Sequence, residues 1–377
     1  MPPACRGAVV AATSLWRRWL RRLTAVLSGV LATGAAKAVD LPEDRAEAMF
    51  HVYEGGGVTA TGPALLVRKS VTDRVAVSAS YYLDMVSNAS IDVVTTASPY
   101  KERRTAYDLG IDYVYRDSVI KLSTSSSKEP DYTANGVSLD VSQEVFGGMT
   151  TVSLGYTRAL DHVGKKGTAE FFDSAKHWQY RFGVTQILSP HWLASANFEA
   201  ISDDGFLGSP YRVARVFGAA VPERNPRTRT SRAIKLRAIG DLGSRNAVRA
   251  EYRYFWDTWD IRAHTAELGY SRYFGEPWLA DAFARFNTQR GALFYSDNAI
   301  TETTYISRNR QLASFDSFGF GGKLSYSVGR VAQKYDVKLN GAYEFVRFKY
   351  SDFTDIRSGR PYSFDGHVLQ LYMSATF

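Results

Sequence analysis

The sequence predicts an all-β protein, a transmembrane antiparallel up-and-down β-barrel of about sixteen strands. Three observations carry that reading. The chain ends on an alternating apolar strand; from about Arg45 onward it repeats alternating segments whose connections are in turn short and long; and it opens on an export leader.

The leader comes first. It carries Arg6, Arg17, Arg18, Arg21 and Arg22, then an apolar run over 23–36 and the small-x-small site Ala36-Lys37-Ala38. A basic head, a short apolar run and small residues at a cleavage position describe a secretory signal peptide. The run is well short of the roughly 20 apolar residues that a spanning helix requires. Cleavage after Ala38 divides the chain into a signal peptide, 1–38, and a single barrel domain, 39–377. Removing the six leader cations lowers the net charge from +8 to +2, so the basic balance is no nucleic-acid footprint. The only cysteine, Cys5, leaves with the leader, which excludes disulfides, thiolate metal sites and a cysteine nucleophile from the mature chain.

The repeating segments follow. Short connections fall at 71–73, 116–118, 146–148, 189–191, 242–244, 275–277 and 329–331, all with turn chemistry. Longer polar connections fall at 87–101, 128–131, 161–174, 202–228, 257–260, 291–313 and 351–365. Short periplasmic turns against longer outer loops is the pattern of bacterial barrels. Counting strands from Val58 gives an odd number, whereas bacterial single-chain barrels are even. The segment Ala46 to Glu54, followed by Gly55-Gly56-Gly57, supplies the missing partner and makes about sixteen; about fourteen is the count if that hairpin lies outside the wall.

The last segment, GHVLQLYMSATF, places Leu369, Leu371, Met373, Ala375 and Phe377 on one face and Gln370, Tyr372, Ser374 and Thr376 on the other. An edge strand this apolar aggregates in water. In a bilayer it is stable once it closes onto the first strand, because no backbone group is then left unpaired in lipid. A terminal Phe on such a strand resembles the assembly signal of outer-membrane barrels. Phe377 is assigned that role, with the barrel assembly machinery and outer-membrane lipid as expected partners.

Face parity is consistent along the chain. Val75, Val77, Ala79, Tyr81 and Leu83 share a side, as do Tyr107, Leu109, Ile111, Tyr113 and Tyr115, and Val248, Ala250, Tyr252, Tyr254 and Trp256; these are assigned to lipid. Trp178, Trp192, Trp256 and Trp278 have the same parity near strand ends, as an interfacial girdle requires. The opposite parity collects ionisable residues. In the first half these lean acidic, with Asp84, Asp108, Asp112, Asp140, Glu144 and Glu199 beside Lys121 and Arg181. In the second half they lean basic, with Lys235, Arg237, Arg249, Arg253, Arg285, Lys323 and Lys338 interleaved with Glu251, Glu267, Asp281 and Glu344. Facing one another across a closed barrel, the two halves make either a transverse field in a wet pore or a lumen filled by salt bridges.

The outer loop 202–228 offers Asp203, Asp204, Arg212 and Arg227, with Arg229 just beyond, as candidates for a constriction, a headgroup site or an ordinary solvated loop. Two adjacent acids and a glycine do not make a calcium loop. No cofactor and no metal is expected: His51, His162, His177, His191, His264 and His367 form no HExxH and no close pair in sequence. His51 and His367 are placed near the outer rim of the two strands that close the barrel. No serine sits in a GxSxG elbow, and no catalytic set is indicated by spacing.

Several stretches resemble a known family: Ser80-Tyr81-Tyr82-Leu83-Asp84-Met85-Val86-Ser87-Asn88, continuing to Val94, then Ala97-Ser98-Pro99-Tyr100-Lys101-Glu102-Arg103-Arg104, Asp204-Gly205-Phe206-Leu207-Gly208-Ser209-Pro210-Tyr211-Arg212, Pro226-Arg227-Thr228-Arg229-Thr230, Tyr252-Arg253-Tyr254-Phe255-Trp256-Asp257-Thr258-Trp259 and Asp365-Gly366-His367. They are similar to the domain-of-unknown-function family 3570 of Gram-negative bacteria. That resemblance implies an outer-membrane barrel and marks the polar segments 84–92 and 203–212 as family motif; it implies no chemistry.

The expectation is therefore an exported protein of the Gram-negative outer membrane, not an enzyme, acting as a pore or channel for a small polar or charged solute. A non-conducting barrel that works in assembly or surface binding through its outer loops is the alternative. A barrel enzyme acting on lipid comes third, with His177 and His264 its only candidates. No nucleic-acid partner is expected.

Overall fold

The structure, a computed structural model, describes residues 39–88, 90, 100–168 and 170–377. The leader and the motif segment 91–99 lie outside the described residues. Along the chain the strands are β1 (Arg45–Gly55), β2 (Val58–Thr72), β3 (Val75–Asn88), β4 (Tyr100–Tyr115), β5 (Ser118–Lys128), β6 (Tyr132–Val145), β7 (Thr150–Gly164), β8 (Phe172–Ser189), β9 (Trp192–Gly205), β10 (Val213–Val216), β11 (Ala219–Pro222), β12 (Thr228–Gly243), β13 (Asn246–Asp257), β14 (Arg262–Phe274), β15 (Trp278–Arg290), β16 (Phe315–Val331), β17 (Tyr335–Asp355) and β18 (Arg360–Thr376). All but β10 and β11 form one closed antiparallel ring of sixteen strands; those two make a separate hairpin between β9 and β12.

Closure occurs where the last strand demands it. β18 pairs with β17 on one side and with β1 on the other, in a register that sets Ala46 against Ala375 and Phe50 against Leu371. The first hairpin is in the wall, and its turn requires glycine: Gly56 and Gly57 take φ of 57° and 81°, the left-handed pair of a two-residue hairpin turn. Arg45, Thr376 and the short turns from β2–β3 onward lie at one end of the barrel, the periplasmic end in bacterial barrels, and the two-residue β1–β2 turn and the longer loops at the other. Several strands run past the expected outer boundary: β17 and β18 leave only 356–359 between them, and β8 begins at Phe172. Asp203 and Asp204 accordingly belong to the end of β9, where a loop was expected, and Arg229 to β12.

The outer face is apolar in alternation. Leu65, Val67, Val77, Tyr81, Leu109, Ile111, Leu122, Leu139, Leu154, Leu268, Phe320 and Leu371 all project from the wall. This is the surface that acyl chains cover, so a charge there is costly. Leu109→Arg is expected to lower barrel stability by about 2–4 kcal/mol, the cost of a basic side chain at the bilayer midplane. Replacing the inward-facing Ser123 by Arg should cost far less, and denaturant unfolding in lipid vesicles compares the two.

The buried apolar side chains cluster at the loop end. One cluster joins Ala313, Tyr350, Phe353 and Tyr362; a second joins Trp259, Ile261, Ala292 and Leu312; a third joins Ala214, Val216 and Ile306. The core of this molecule, in the ordinary sense, is a folded cap of loops.

Candidate functional site

The ionisable residues read as inward-facing share one parity, opposite to the apolar exterior, and many pair with their neighbours. Glu251 takes Lys235 at 2.8 Å and Arg237 at 4.0 Å. Arg249 reaches Glu267 at 3.1 Å and Asp281 at 3.7 Å, and Arg285 bridges Glu267 at 2.8 Å and Glu344 at 2.9 Å. In the other half Arg181 meets Asp140 at 2.7 Å, Arg68 lies 3.7 Å from Asp112, and His51 Nε2 lies 2.8 Å from Asp84. The interleaved acids therefore compensate most second-half cations along the wall. Among the described residues Asp108, Glu144 and Glu199 on one sign, and Lys121, Arg253, Lys323 and Lys338 on the other, enter no ion pair. Any field across the lumen comes from these.

A cavity of about 470 Å³ opens inside the wall of β2 to β13, lined by charged side chains that include Arg68, Lys121, Asp140, Arg181, Glu199 and Arg253. Its volume falls in the range of small-molecule sites, roughly 300–1,000 Å³.

At the periplasmic end the segment preceding β1 enters the lumen. The backbone N–H of Phe377 donates to the Asp44 carbonyl at 3.1 Å, and the Asp44 carboxylate accepts from Lys69 and, at 2.5 Å, from the Ser70 N–H. Lys69 also stands 4.9 Å over the Phe377 ring. The ammonium of Lys69 and the Ser70 N–H pull the Asp44 carboxyl down to about 2. From this clasp at the seam the chain turns inward: Pro42 lines the cavity, and Val39 N–H donates to the carbonyl of Arg116, in the β4–β5 turn, at 3.4 Å. Sequence pattern gave no warning of this strap, because the stretch has no period.

At the other end two loops meet across the mouth. The β9–β12 connection, 206–227, carries the hairpin of β10 and β11; the β15–β16 connection, 291–314, contains a single 3-10 turn, Arg310–Leu312. Val216 bridges to Ala299, Arg224 pairs in backbone with Ile306, and Arg224 Nη2 holds Glu302 at 2.7 Å. In the opposite direction the Tyr211 hydroxyl donates to Asp131 in the β5–β6 loop and accepts from the Lys166 N–H at 2.7 Å. The β5–β6 and β15–β16 loops stand on opposite sides of the ring, with six strands between them either way. The 206–227 segment therefore spans the mouth. Arg308 locks the second loop, donating to the Thr354 carbonyl at 2.6 Å and lying 4.3 Å over the Phe353 ring.

Glu223 is buried in this cap with the Ser307 hydroxyl donating to it, and burial pushes its carboxyl above the usual range. A carboxyl raised in the closed cap favours closure below its ordinary pKa and loses that contribution as pH rises through the raised value. Acidification should therefore stabilise the cap, and Glu223→Gln should flatten the dependence; the rate of limited proteolysis within 206–227 and 291–314 against pH is the measurement.

The remaining candidates are dispersed. Asp203 and Asp161 flank His177, at 2.7 Å from Nδ1 and 2.9 Å from Nε2, and Tyr132 donates to Asp161. His177 thus faces inward, between two acids, and not toward lipid. His264 does face lipid, but its neighbour is the Tyr252 hydroxyl at 2.7 Å and no acid. Arg227 is held by Asp173 through two 2.8 Å bonds; Arg229 is held by Asp257 and lies 4.6 Å over Trp259; Asp204 is exposed. Arg212, half-buried, accepts at its carbonyl from the Glu223 N–H at 3.4 Å. His51 and His367 lie toward the loop end of the two strands that close the barrel, β1 and β18. His51 pairs with Gln370 and His367 with Glu54, so the two histidines occupy opposite faces of the seam, His51 toward Asp84 and His367 toward Tyr343 at 2.7 Å. Among the described residues one acidic trio, Glu102, Glu129 and Asp131, comes close enough to share an ion; spacing does not single it out because Glu102, on β4, is remote in sequence from the other two in the β5–β6 loop.

A closed antiparallel ring with an apolar exterior and an ionised interior is a transmembrane β-barrel. The chain belongs to the family described as Protein of unknown function (DUF3570), whose family model matches residues 90–343. No curated protein matches the sequence. Among solved structures it is similar to a bacterial polysaccharide outer membrane secretin (TM-score 0.47, 8% identity, 88% of this chain and 97% of that one). It is also similar to the CymD monoaromatic hydrocarbon channel (0.43, 12%, 93% and 97%). The outer membrane protein OpdK of Pseudomonas aeruginosa is a third such structure (0.43, 8%, 90% and 100%).

Proposed function

We propose that this chain is a gated channel of the Gram-negative outer membrane for small polar or charged solutes. The observation that carries the proposal is the ionised cavity of about 470 Å³ inside the wall, with unpaired charges facing it and a folded element at each mouth. A purely structural lumen would neutralise its charges in pairs, because unpaired ions in a low-dielectric interior are costly unless water or a solute reaches them. Among the described residues His177 is bonded to the Asp161 and Asp203 carboxylates and His264 to the Tyr252 hydroxyl, and neither carries a hydrogen-bonded serine, so the channel reading is preferred to catalysis on lipid. Purified protein inserted in planar bilayers is expected to give reproducible conductance steps of small size; a persistently silent membrane contradicts the proposal.

One observation favours a surface-binding role beside this one. Phe217 tips the β10–β11 hairpin with φ 49°, unusual for Phe, and its ring is exposed next to Ile300, 76% and 80% accessible. Exchanging both for Ser leaves conductance unchanged and removes cell-surface binding if the tip serves a partner.

A further inference from the structure

The cavity has a sign. Five basic side chains line it, Arg68, Lys121, Arg181, Lys235 and Arg253, against three acidic ones. Asp112 and Asp140 are matched by Arg68 and Arg181, and Lys235 is matched by Glu251. Lys121 and Arg253 form no ion pair among the described residues, although Asp112 and Asp140 are the cross-strand neighbours of Lys121; the Arg253 guanidinium lies 5.4 Å over the Phe255 ring. The third acid, Glu199, already accepts from the Gln179 amide. Two whole cations therefore outnumber the single unpaired carboxylate. Lys121, on β5, and Arg253, on β13, approach from distant parts of the ring, with β6, β7, β8, β9 and β12 between them on the shorter side. Both line the cavity.

We infer that the cavity selects anions, and that Lys121 and Arg253 are the side chains that draw in a small oxyanion, a carboxylate or phosphate group. This rests on the channel reading and adds the solute class to it. Walls of low dielectric focus the field of the surplus cations and raise the local concentration of the counter-ion, on the order of 10-fold or more. Guanidinium and ammonium together suit a carboxylate or phosphate, the first by its planar fork and the second as a point charge. The acids nearby are not free to repel it fully, since two of the three are already held by arginine.

The test uses the full-length exported protein in planar bilayers under a KCl gradient. The reversal potential is expected to show chloride preferred over potassium severalfold, and inorganic phosphate added to one side should block the chloride current. The double variant Lys121→Glu, Arg253→Glu should reverse the preference, whereas Lys323→Glu, outside the cavity lining, should keep its sign. A wild-type preference for potassium, or a double variant with unchanged selectivity, overturns the inference and leaves the channel standing. A silent membrane overturns the channel reading itself. Equilibrium dialysis of detergent-solubilised protein against inorganic phosphate is independent of conduction: the milder pair Lys121→Gln, Arg253→Gln should weaken binding at least severalfold, and no binding to the wild type also counts against the oxyanion.

Discussion

Ile306→Ala is expected to open the outer mouth while leaving the barrel folded. Ile306 is almost wholly buried, at 1% exposure, and packs with Ala214 and Val216 where the 291–314 loop crosses the β10–β11 hairpin. Truncating a fully buried isoleucine costs about 2–5 kcal/mol through lost burial and the cavity left behind. The cost falls on the cap, because the apolar side chains packed with Ile306, namely Ala214, Val216, Val221 and Ala299, all belong to the 206–227 and 291–314 connections; the ring keeps its ladder of backbone pairs. Two backbone bonds, Arg224 N–H to Ile306 carbonyl and Ile306 N–H to Arg224 carbonyl, both 2.9 Å, lose their apolar support in the same step. Single-channel conductance should rise severalfold, and proteolysis should begin within 206–227 or 291–314, with the thermal transition of the barrel unmoved. Equal conductance and protease resistance would show that the two loops do not close the mouth.

The second large effect is expected at the opposite end. Replacing 40–43 by a flexible Gly/Ser stretch removes Pro42 from the cavity floor and frees the tether to the Arg116 carbonyl. A floor withdrawn from a narrow lumen widens its limiting section, so conductance should increase roughly twofold or more. The seam clasp itself should survive, since Asp44 keeps its bonds to Lys69 and Ser70. Because its carboxyl is depressed to about 2, the clasp holds throughout the range above the ordinary carboxylate pKa and is lost only as pH falls toward that value. Gating by the strap should therefore be flat across neutral and mildly acidic pH, in contrast to the cap, where Glu223 is raised.

What the sequence made legible is the part of the molecule governed by period and closure. Leu369, Leu371 and Met373 alternate with polar neighbours, which fixes both the lipid face and the need for a partner strand; that partner, 46–54, and the Gly56-Gly57 turn follow from the even strand count. Inward parity of the charges was legible for the same reason. Which charges pair was not, because register between neighbouring strands decides it: Arg285 reaches both Glu267 on β14 and Glu344 on β17 across the intervening strand. Parity also separates His51 from His367: in an antiparallel ladder the partner of His367 is Glu54, an odd number of residues from His51. The cap and the strap left no trace of their own. Segments 291–314 and 39–44 have no repeat, and their order comes from long-range contacts such as Arg308 with Phe353 and Pro42 with the cavity. Strand ends at Asp203 and Asp355 were misplaced for a related reason, since polar residues extend a ladder beyond the membrane as readily as they form a loop.

The most direct test is substituted-cysteine labelling along β5 in a chain whose only native cysteine, Cys5, lies in the leader. Single cysteines at Val119, Ile120, Lys121, Leu122, Ser123 and Thr124 would be exposed to a membrane-impermeant thiol reagent in intact vesicles. Labelling at Val119, Lys121 and Ser123, with protection at Ile120, Leu122 and Thr124, is the result expected of a closed wall with water on one face and acyl chains on the other. Uniform labelling, or labelling without a period of two, would contradict it.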